Sequence, residues 1–398
     1  MVSQGASPTV LVALLAAAVF LVRTAALMLG PLLVALAAAF HTSVPVMGQL
    51  AAVINISWGI TAPLVGPVSD TYGRRVVGLS GLLLMALGVL GSVLAWSYGA
   101  LLACRLVTGV GAAMIPPNSM ATIADHFPPE RRGTPISVLL CASFLGMVLV
   151  VPLIALLVDL GGWRVPFGVL GLMLSVVWGL QWGWWPRRPR EARPAFAFLA
   201  RFRAVGRRRG IWYVLSANAG YQMAAFGLFT YFAAFLIQTY GLTAGGTALP
   251  LAVVGSGAML GSLLGGRIAS HGQRFALAAT ALLAGGVLAT VAFAAPLPPW
   301  TMILVGGASA LLLTSYEPVP WALMAELAGE SRATANGLLA SSNQLGAAAG
   351  ASLGGIVLAL GGFPSVGGFC LGTAAAAALV VGLLRRSLQK VHVPVVGA

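Results

Sequence analysis

Gly66-Pro-Val-Ser-Asp70-Thr-Tyr-Gly73-Arg74-Arg75 is the stretch that decides how this chain is read. It places one carboxylate and two guanidinium groups between two long apolar segments, 45–66 and 76–96, in a sequence with little other charge. A short charged turn joining two membrane-length segments forces them to lie side by side. It also holds the turn at the water boundary, where its charges can find partners.

Outward from that turn the chain is apolar. Of its 398 residues 59% are hydrophobic and 8% charged, against about 25% charged in a typical soluble domain. So few charges cannot cover a water-soluble surface. The apolar residues come in runs of about 20, the length of helix that crosses a ~30 Å hydrocarbon core. The ~10-residue alternating segments of an outer-membrane barrel are absent from the sequence. The expected fold is an all-α membrane protein of twelve transmembrane helices. They lie near 9–36, 45–66, 76–96, 99–124, 134–158, 166–185, 211–237, 247–269, 274–294, 300–325, 333–360 and 364–384. The first segment lacks a basic flank and is longer than a signal-peptide core, so it reads as a retained helix.

Charge orients these spans. With the N-terminus placed in the cytoplasm, 19 of the 22 basic residues fall in cytoplasmic loops or the tail. Only Arg164 falls outside, while Arg23 and Arg105 lie within spans. The positive-inside rule therefore predicts a multi-pass protein of the cell (inner) membrane with both termini cytoplasmic. The net charge of +14 is topological and gives no nucleic-acid signal. Cys104, Cys141 and Cys370 lie in apolar runs without metal-ligand spacing, and the four histidines are scattered. Neither a metal site nor an organic cofactor is expected. No Ser-His-Asp set or phosphate loop is visible, which argues against an enzyme.

One long connection, 186–210, is rich in Arg and Pro. It separates an N-terminal six-helix bundle (1–185) from a C-terminal six-helix bundle with a cytoplasmic tail (211–398). Its simplest role is a solvated linker, although Phe196, Phe198 and Phe202 among the arginines would also suit a segment lying on anionic headgroups. The halves repeat. At an offset of 200, Glu130-Arg131-Arg132-Gly133-Thr134 aligns with Glu330-Ser331-Arg332-Ala333-Thr334, and Leu160-Gly161-Gly162 with Leu360-Gly361-Gly362. At an offset of 199, Gly66, Gly73 and Arg75 meet Gly265, Gly272 and Arg274. Two like-oriented copies imply a pseudo-two-fold axis along the membrane normal, the arrangement in which carriers bind substrate near the midplane.

With these motifs in place the chain resembles the major facilitator superfamily of transporters over essentially its full length. Gly66, Asp70, Gly73, Arg74 and Arg75 match that superfamily's loop 2–3 signature. Arg105-x-x-x-Gly109-x-Gly111 on helix 4 resembles the signature of proton-coupled members, and Trp163-Arg164-x-Pro166-Phe167 is another familiar element. The nearest likeness within the superfamily is to the twelve-helix drug:proton antiporters. Helix 5, with Gly146 and then Val151-Pro152, lacks the further glycines of their signature. The resemblance implies a carrier working by alternating access, with the proton as coupling ion and Arg105 taking part in proton movement. Hydrogen bonding of Arg105 to backbone carbonyls is the simpler alternative.

The acidic inventory is short. Of eight Asp and Glu residues, only Glu317 lies well inside a span, about 13 Å from the cytoplasmic end of helix 10. Pro318 and Pro320 follow it and should bend the helix. A carboxylate in hydrocarbon is costly when ionised, so Glu317 is the candidate for the coupling proton. Arg23 lies ~21 Å into helix 1, as a counter-ion for Glu317, an anchor for an anionic substrate group, or a snorkelling side chain. Neutral polar residues mark a candidate substrate cavity: Asn55 and Trp58 on helix 2, Asn118 after a Pro116-Pro117 break on helix 4, and Gln181 on helix 6. The second half adds Asn218, Gln222 and Phe226 on helix 7, Tyr316 on helix 10 and Asn343 on helix 11. Each alone is more often an interhelical hydrogen bond than a ligand contact. Together they suit a small amphipathic solute.

The expected function is therefore proton-coupled efflux of small amphipathic compounds by a monomer in the bilayer. A sugar or metabolite carrier, or a lipid-type flippase using Arg23, is the alternative. For gating, Gly66 and Gly73 are expected to make the 2–3 turn tight, and Arg74 and Arg75 to hold it at the water boundary. Asp70 is expected to meet Arg132 or the start of helix 11.

Overall fold

A computed structural model describes residues 8–128, 131, 133–185, 206–294, 297–327 and 332–391. Arg132 and the linker 186–205 lie outside the described residues, as does the side chain of Asp70. The fold is all-helical. Among the described residues eleven helical stretches are long and apolar enough to cross a membrane, and one of them, Thr334–Gln389, spans 56 residues and contains two crossings. The twelve expected spans are accounted for.

Helix 1 is built from α1 (Pro8–Leu27) and α2 (Leu29–Ala39). Pro31 has no N–H for the Leu27 carbonyl, and the helix breaks beside that carbonyl, at Met28. Helix 2, α3 (Val44–Tyr72), runs on through most of the charged stretch. The turn is one residue, Gly73, whose φ of 94° is open to glycine. Gly73 ends α3 and starts α4 (Arg74–Val93). Gly66 lies inside the helix with nothing within 4 Å of where a Cβ would be. It contributes nothing to a tight turn, which corrects its expected role.

Helix 4, α5 (Tyr98–His126), begins on a Ser97 cap whose Oγ accepts from the Ala100 N–H. It continues without interruption through Pro116 and Pro117, so the expected break there is absent. Helix 5 does change form. α6 (Gly133–Leu145) passes into a π-helical turn, Gly146–Val150, before α7 (Val151–Gly161). Pro152 cannot donate to the preceding turn and crowds its carbonyl, and the wider turn relieves both. α8 (Arg164–Trp184) completes the first six spans.

The second six are α9 (Arg209–Tyr240), α10 (Ala248–Ser270), α11 (Arg274–Ala294), α12 (Pro299–Thr314) with α13 (Pro318–Leu327), and α14 (Arg332–Val391). Helix 10 is split between α12 and α13 at residues 315–317, where Pro318 and Pro320 deny the helix two N–H donors, as expected from sequence. α14 holds helices 11 and 12, divided at Gly362.

The chain forms two compact units. The first holds α1–α8 together with Leu236–Ala252, and the second holds the remainder of α9 and Val253 onward. The segment Leu236–Ala252 carries a 3-10 turn, Gly245–Thr247, whose Gly245 N–H donates to Asp159 Oδ2 at 2.9 Å. In the first unit α3 and α5 meet where a Cβ on Gly109 would collide with Ser57 Oγ and the Ile54 carbonyl. In the second unit Gly257, Gly261 and Gly265, one turn apart on α10, give the same close approach to the backbone of Gly307, Leu311 and Ser315.

Candidate functional site

The 2–3 turn becomes a network inside the first unit. Arg74 Nε lies 3.3 Å from Asp125 Oδ2 at the end of α5, and its Nη1 donates to Ser69 Oγ at 3.0 Å. Ser69 donates to Asn118 Oδ1 at 2.6 Å, and Asn118 Nδ2 donates to the Arg74 carbonyl at 2.6 Å. Arg75 Nη2 donates to the Trp182 carbonyl at 2.6 Å, with its guanidinium 5.4 Å over the Trp182 ring. Helices 2, 3, 4 and 6 are thereby tied at one end. Asn118, expected to face substrate, is 1% exposed with both ends of its amide engaged, so its geometry is that of a helix clamp.

Arg105 and Arg23 occupy contrasting positions. Arg105 is fully buried. It donates through Nη2 to the Ala25 carbonyl at 2.7 Å, near the break in helix 1, and its guanidinium sits 5.6 Å over the Phe167 ring. A carbonyl that loses its regular helical environment next to a break is here held by a guanidinium. Arg23 lies two residues before Ala25, on the half-exposed face of α1 shared with Phe20 and Leu27. Among the described residues it has neither a hydrogen-bond nor an ion-pair partner. The π turn of helix 5 approaches this region, since a Cβ at Gly146 would lie 3.3 Å from the Phe20 carbonyl and 3.5 Å from Thr24 Oγ1.

The remaining polar positions of the first unit turn inward. Asn55 is fully buried and donates to the Ala51 carbonyl at 2.7 Å, and Gln181 Nε2 donates to the Leu14 carbonyl at 2.8 Å. The oxygens of both amides are enclosed without a partner among the described residues. Trp58 is 9% exposed on α3.

The second unit brings most of its expected residues together. Asn218 on α9 donates to Asn343 Oδ1 at 2.5 Å and to Ser342 Oγ at 3.2 Å on α14, and Ser342 donates to the Leu215 carbonyl at 2.8 Å. Gln222 and Phe226 continue the buried face of α9. Tyr221 meets Tyr316 edge-on, ring centroids 5.5 Å apart. Tyr316 and Glu317 sit in the break of helix 10. Their N–H groups donate to the Leu313 and Thr314 carbonyls, and Glu317 is half-buried.

Asp125, Glu326, Ser69 and Trp182 are not among the residues that the sequence singles out. The signal that could have found the two acids is the repeat. Arg274 at the start of α11 binds Glu326 on α13 through both oxygens, at 2.6 and 2.7 Å. Arg74 at the start of α4 meets Asp125 at the end of α5 through Nε and Oδ2, 3.3 Å apart. Each half thus pins the start of its third helix to the end of its fourth. Among the described residues no group of His, Cys, Asp and Glu could hold a metal.

The MFS-type transporter YceJ of Bacillus subtilis (strain 168) is 25% identical over 344 residues, 85% of this chain and 86% of that protein. The 3-(3-hydroxy-phenyl)propionate transporter of Escherichia coli (strain K12) is 25% identical over 74% of this chain and 73% of its own length. Among solved structures, a bacterial homologue of the human lysosomal transporter Spinster, in an inward-facing and unoccupied conformation, superposes with a TM-score of 0.81. It covers 98% of this chain and all of that one, at 17% identity. The sequence model described as Major Facilitator Superfamily matches residues 15–316. With twelve spans, a repeated six-helix half and this match over three quarters of its length, the chain belongs to the Major Facilitator Superfamily and is a multi-pass membrane transporter rather than an enzyme.

Proposed function

We propose that this transporter carries small organic anions, carboxylates in particular, by alternating access coupled to the proton. The observation that supports the reading is Arg23, a half-buried guanidinium in the middle of a span with no partner among the described residues. A cation at that depth is costly unless paired. The first unit has no acid in the middle of its spans, since Asp70, Asp125 and Asp159 all lie at helix ends. An anionic cargo supplies the missing counter-charge.

The relatives with a stated cargo point the same way. They include transporters of galacturonate, 3-(3-hydroxy-phenyl)propionate and 4-hydroxybenzoate and one named as a probable L-galactonate transporter, all carboxylates, although the galacturonate, L-galactonate and 4-hydroxybenzoate proteins align over about half or less of their own length. Glu317, in the break of helix 10, binds the coupling proton in this scheme. The protein works as a monomer in the inner membrane with both termini in the cytoplasm.

Uptake into proteoliposomes tests the reading. A radiolabelled monocarboxylate should accumulate in a pH-gradient-dependent manner. Arg23→Gln should lower transport at least about tenfold, as expected for losing one charge-assisted contact, while Arg23→Lys retains part of it. Glu317→Gln should remove the pH dependence. Carboxylate flux indifferent to Arg23→Gln would overturn the anchor.

Efflux of neutral amphipathic drugs is the second reading. It is favoured by 35% identity over 125 residues to a chloramphenicol resistance protein of Pseudomonas aeruginosa. In that case chloramphenicol flux would be unaffected by Arg23→Gln.

A further inference from the structure

The arginines at the helix ends divide into two sets. Arg74 and Arg274 are paired with Asp125 and Glu326, while Arg75, Arg164 and Arg208 donate to the carbonyls of Trp182, Val93 and Leu327. Arg131, Arg207, Arg209, Arg267, Arg385 and Arg386 are exposed, with neither a hydrogen-bond nor an ion-pair partner among the described residues. Of these, Arg131 belongs to the first unit and Arg267 to the end of α10. The other four come together.

Helix 7 (α9) and helix 12, the second part of α14, run antiparallel in close contact within the second unit. A Cβ at Gly227 would lie 2.9 Å from Cys370 Sγ, one at Gly220 3.2 Å from the Ala377 Cβ, and one at Gly210 4.0 Å from Leu384 Cδ1. The start of helix 7 therefore lies beside the end of helix 12. Arg209 precedes Gly210, Arg385 and Arg386 follow Leu384, and Arg207 lies just before the helix start. Arg208 is held on the Leu327 carbonyl at 2.6 Å, and Glu326, the acid beside Leu327, is engaged by Arg274 through both oxygens. Four like charges at one end, without a counter-charge among the described residues, repel one another, and a bound anion relieves that repulsion.

The adjoining surface says what carries that anion. Helix 12 leads up to the arginines with Leu379 and Leu383, 66% and 41% exposed. Trp212, 53% exposed, lies in the first turn of helix 7 with its indole N–H donated to the Gly206 carbonyl at 2.8 Å. Exposed leucines of a span are covered by hydrocarbon, and tryptophan gathers at the headgroup level. We propose that Arg207, Arg209, Arg385 and Arg386 hold the phosphate of an anionic phospholipid, with an acyl chain lying along Leu379 and Leu383. Guanidinium groups meet phosphate oxygens with paired N–H donors, and clustered basic residues beside a span attract anionic headgroups. A soluble phosphate would use the charges and leave the leucines beside them without a role. In the topology proposed above the site faces the cytoplasmic leaflet.

The test is lipid binding to the delipidated full-length protein in detergent, read by native mass spectrometry with phosphatidylglycerol and phosphatidylcholine of identical acyl chains. The wild type should retain phosphatidylglycerol over phosphatidylcholine. The double variants Arg385→Gln with Arg386→Gln, and Arg207→Gln with Arg209→Gln, should each weaken phosphatidylglycerol at least about tenfold and leave phosphatidylcholine unchanged. Arg131→Gln with Arg267→Gln removes the same net charge from exposed arginines outside the cluster and should change neither lipid. An equal loss in that control means that overall charge, and not this site, attracts the lipid, and overturns the proposal. A wild type that does not discriminate between the two lipids overturns it as well. Inorganic phosphate in excess should not displace the bound phosphatidylglycerol; displacement at equal concentration would make the site one for a soluble anion and reject the lipid. Should a double variant fail to fold, Arg209→Gln and Arg386→Gln alone must each weaken phosphatidylglycerol about fivefold, and no loss in either rejects the site.

Discussion

Arg23 and Arg105 show how the same residue type takes different work from its surroundings. Both lie within apolar spans, and in sequence both are simply buried cations. Arg105 has found a backbone carbonyl, a ring face and complete burial, whereas Arg23 is half-buried with no partner among the described residues. Asn118 makes a similar point. Its position on helix 4 fits a cavity, but its amide joins Ser69 to the Arg74 backbone. Asn118→Leu should lower stability by about 1–3 kcal/mol through the two unpaired groups it leaves, without changing affinity for cargo. A thermal melt and a binding isotherm on one preparation check both halves of that statement. That Asn118 was buried and polar is legible from the sequence. Which partner it meets depends on a residue 49 positions away.

At the scale of elements, glycine and proline decide most of the form, and they act differently by position. Gly109 and Gly66 are both glycines in helices beside signature residues. A methyl at Gly109 meets Ser57 and the Ile54 backbone, and a methyl at Gly66 meets nothing within 4 Å. Gly109→Ala should therefore destabilise by about 1–3 kcal/mol, the usual cost of overpacking. Gly66→Ala should be neutral, or stabilise by up to about 1 kcal/mol through helix propensity. Parallel melting curves decide it, and a destabilised Gly66→Ala would show that this residue serves a conformation other than the one described. The helix-10 break was readable because Pro318 and Pro320 remove two donors in three residues. The π turn of helix 5 was not, because Pro152 can end, kink or widen a helix, and the neighbouring helix chooses among these.

The whole molecule repeats itself more faithfully in structure than in letters. Gly162 and Gly362 both adopt positive φ, 73° and 71°, and Leu160 and Leu360 before them are each 82% exposed. The pinning ion pair recurs as Arg74 with Asp125 and Arg274 with Glu326. Exposed pairs contribute little, about 0–1 kcal/mol. Reversing one partner, Glu326→Arg, should nonetheless lower the melting temperature, and the swap Arg274→Glu with Glu326→Arg should recover it. A swap as unstable as the single reversal would mean that the pair does not hold the third and fourth helices of that half. Orientation belongs to this scale too. A fluorescent protein fused at the C-terminus should light up in the cytoplasm, and a cysteine replacing Arg164 should react with an impermeant maleimide added to intact cells. The reverse pattern would invert the proposed topology.

Length, composition and periodicity alone determined the class, the number of spans, the duplication and the break of helix 10, but neither the unbroken helix 4 nor the π turn of helix 5. Each of these is a property of consecutive residues and of the hydrocarbon that must surround them. Only the tertiary structure decided which polar groups are already spent inside the bundles and which still await a partner. Hydrogen bonds between helices join residues far apart in the chain, and an unpaired group is defined by everything packed around it. The sequence thus offered nine candidate contacts of one kind. The packing turned Asn118 into a clamp, enclosed Asn55 and Gln181, and paired Asn218 with Asn343.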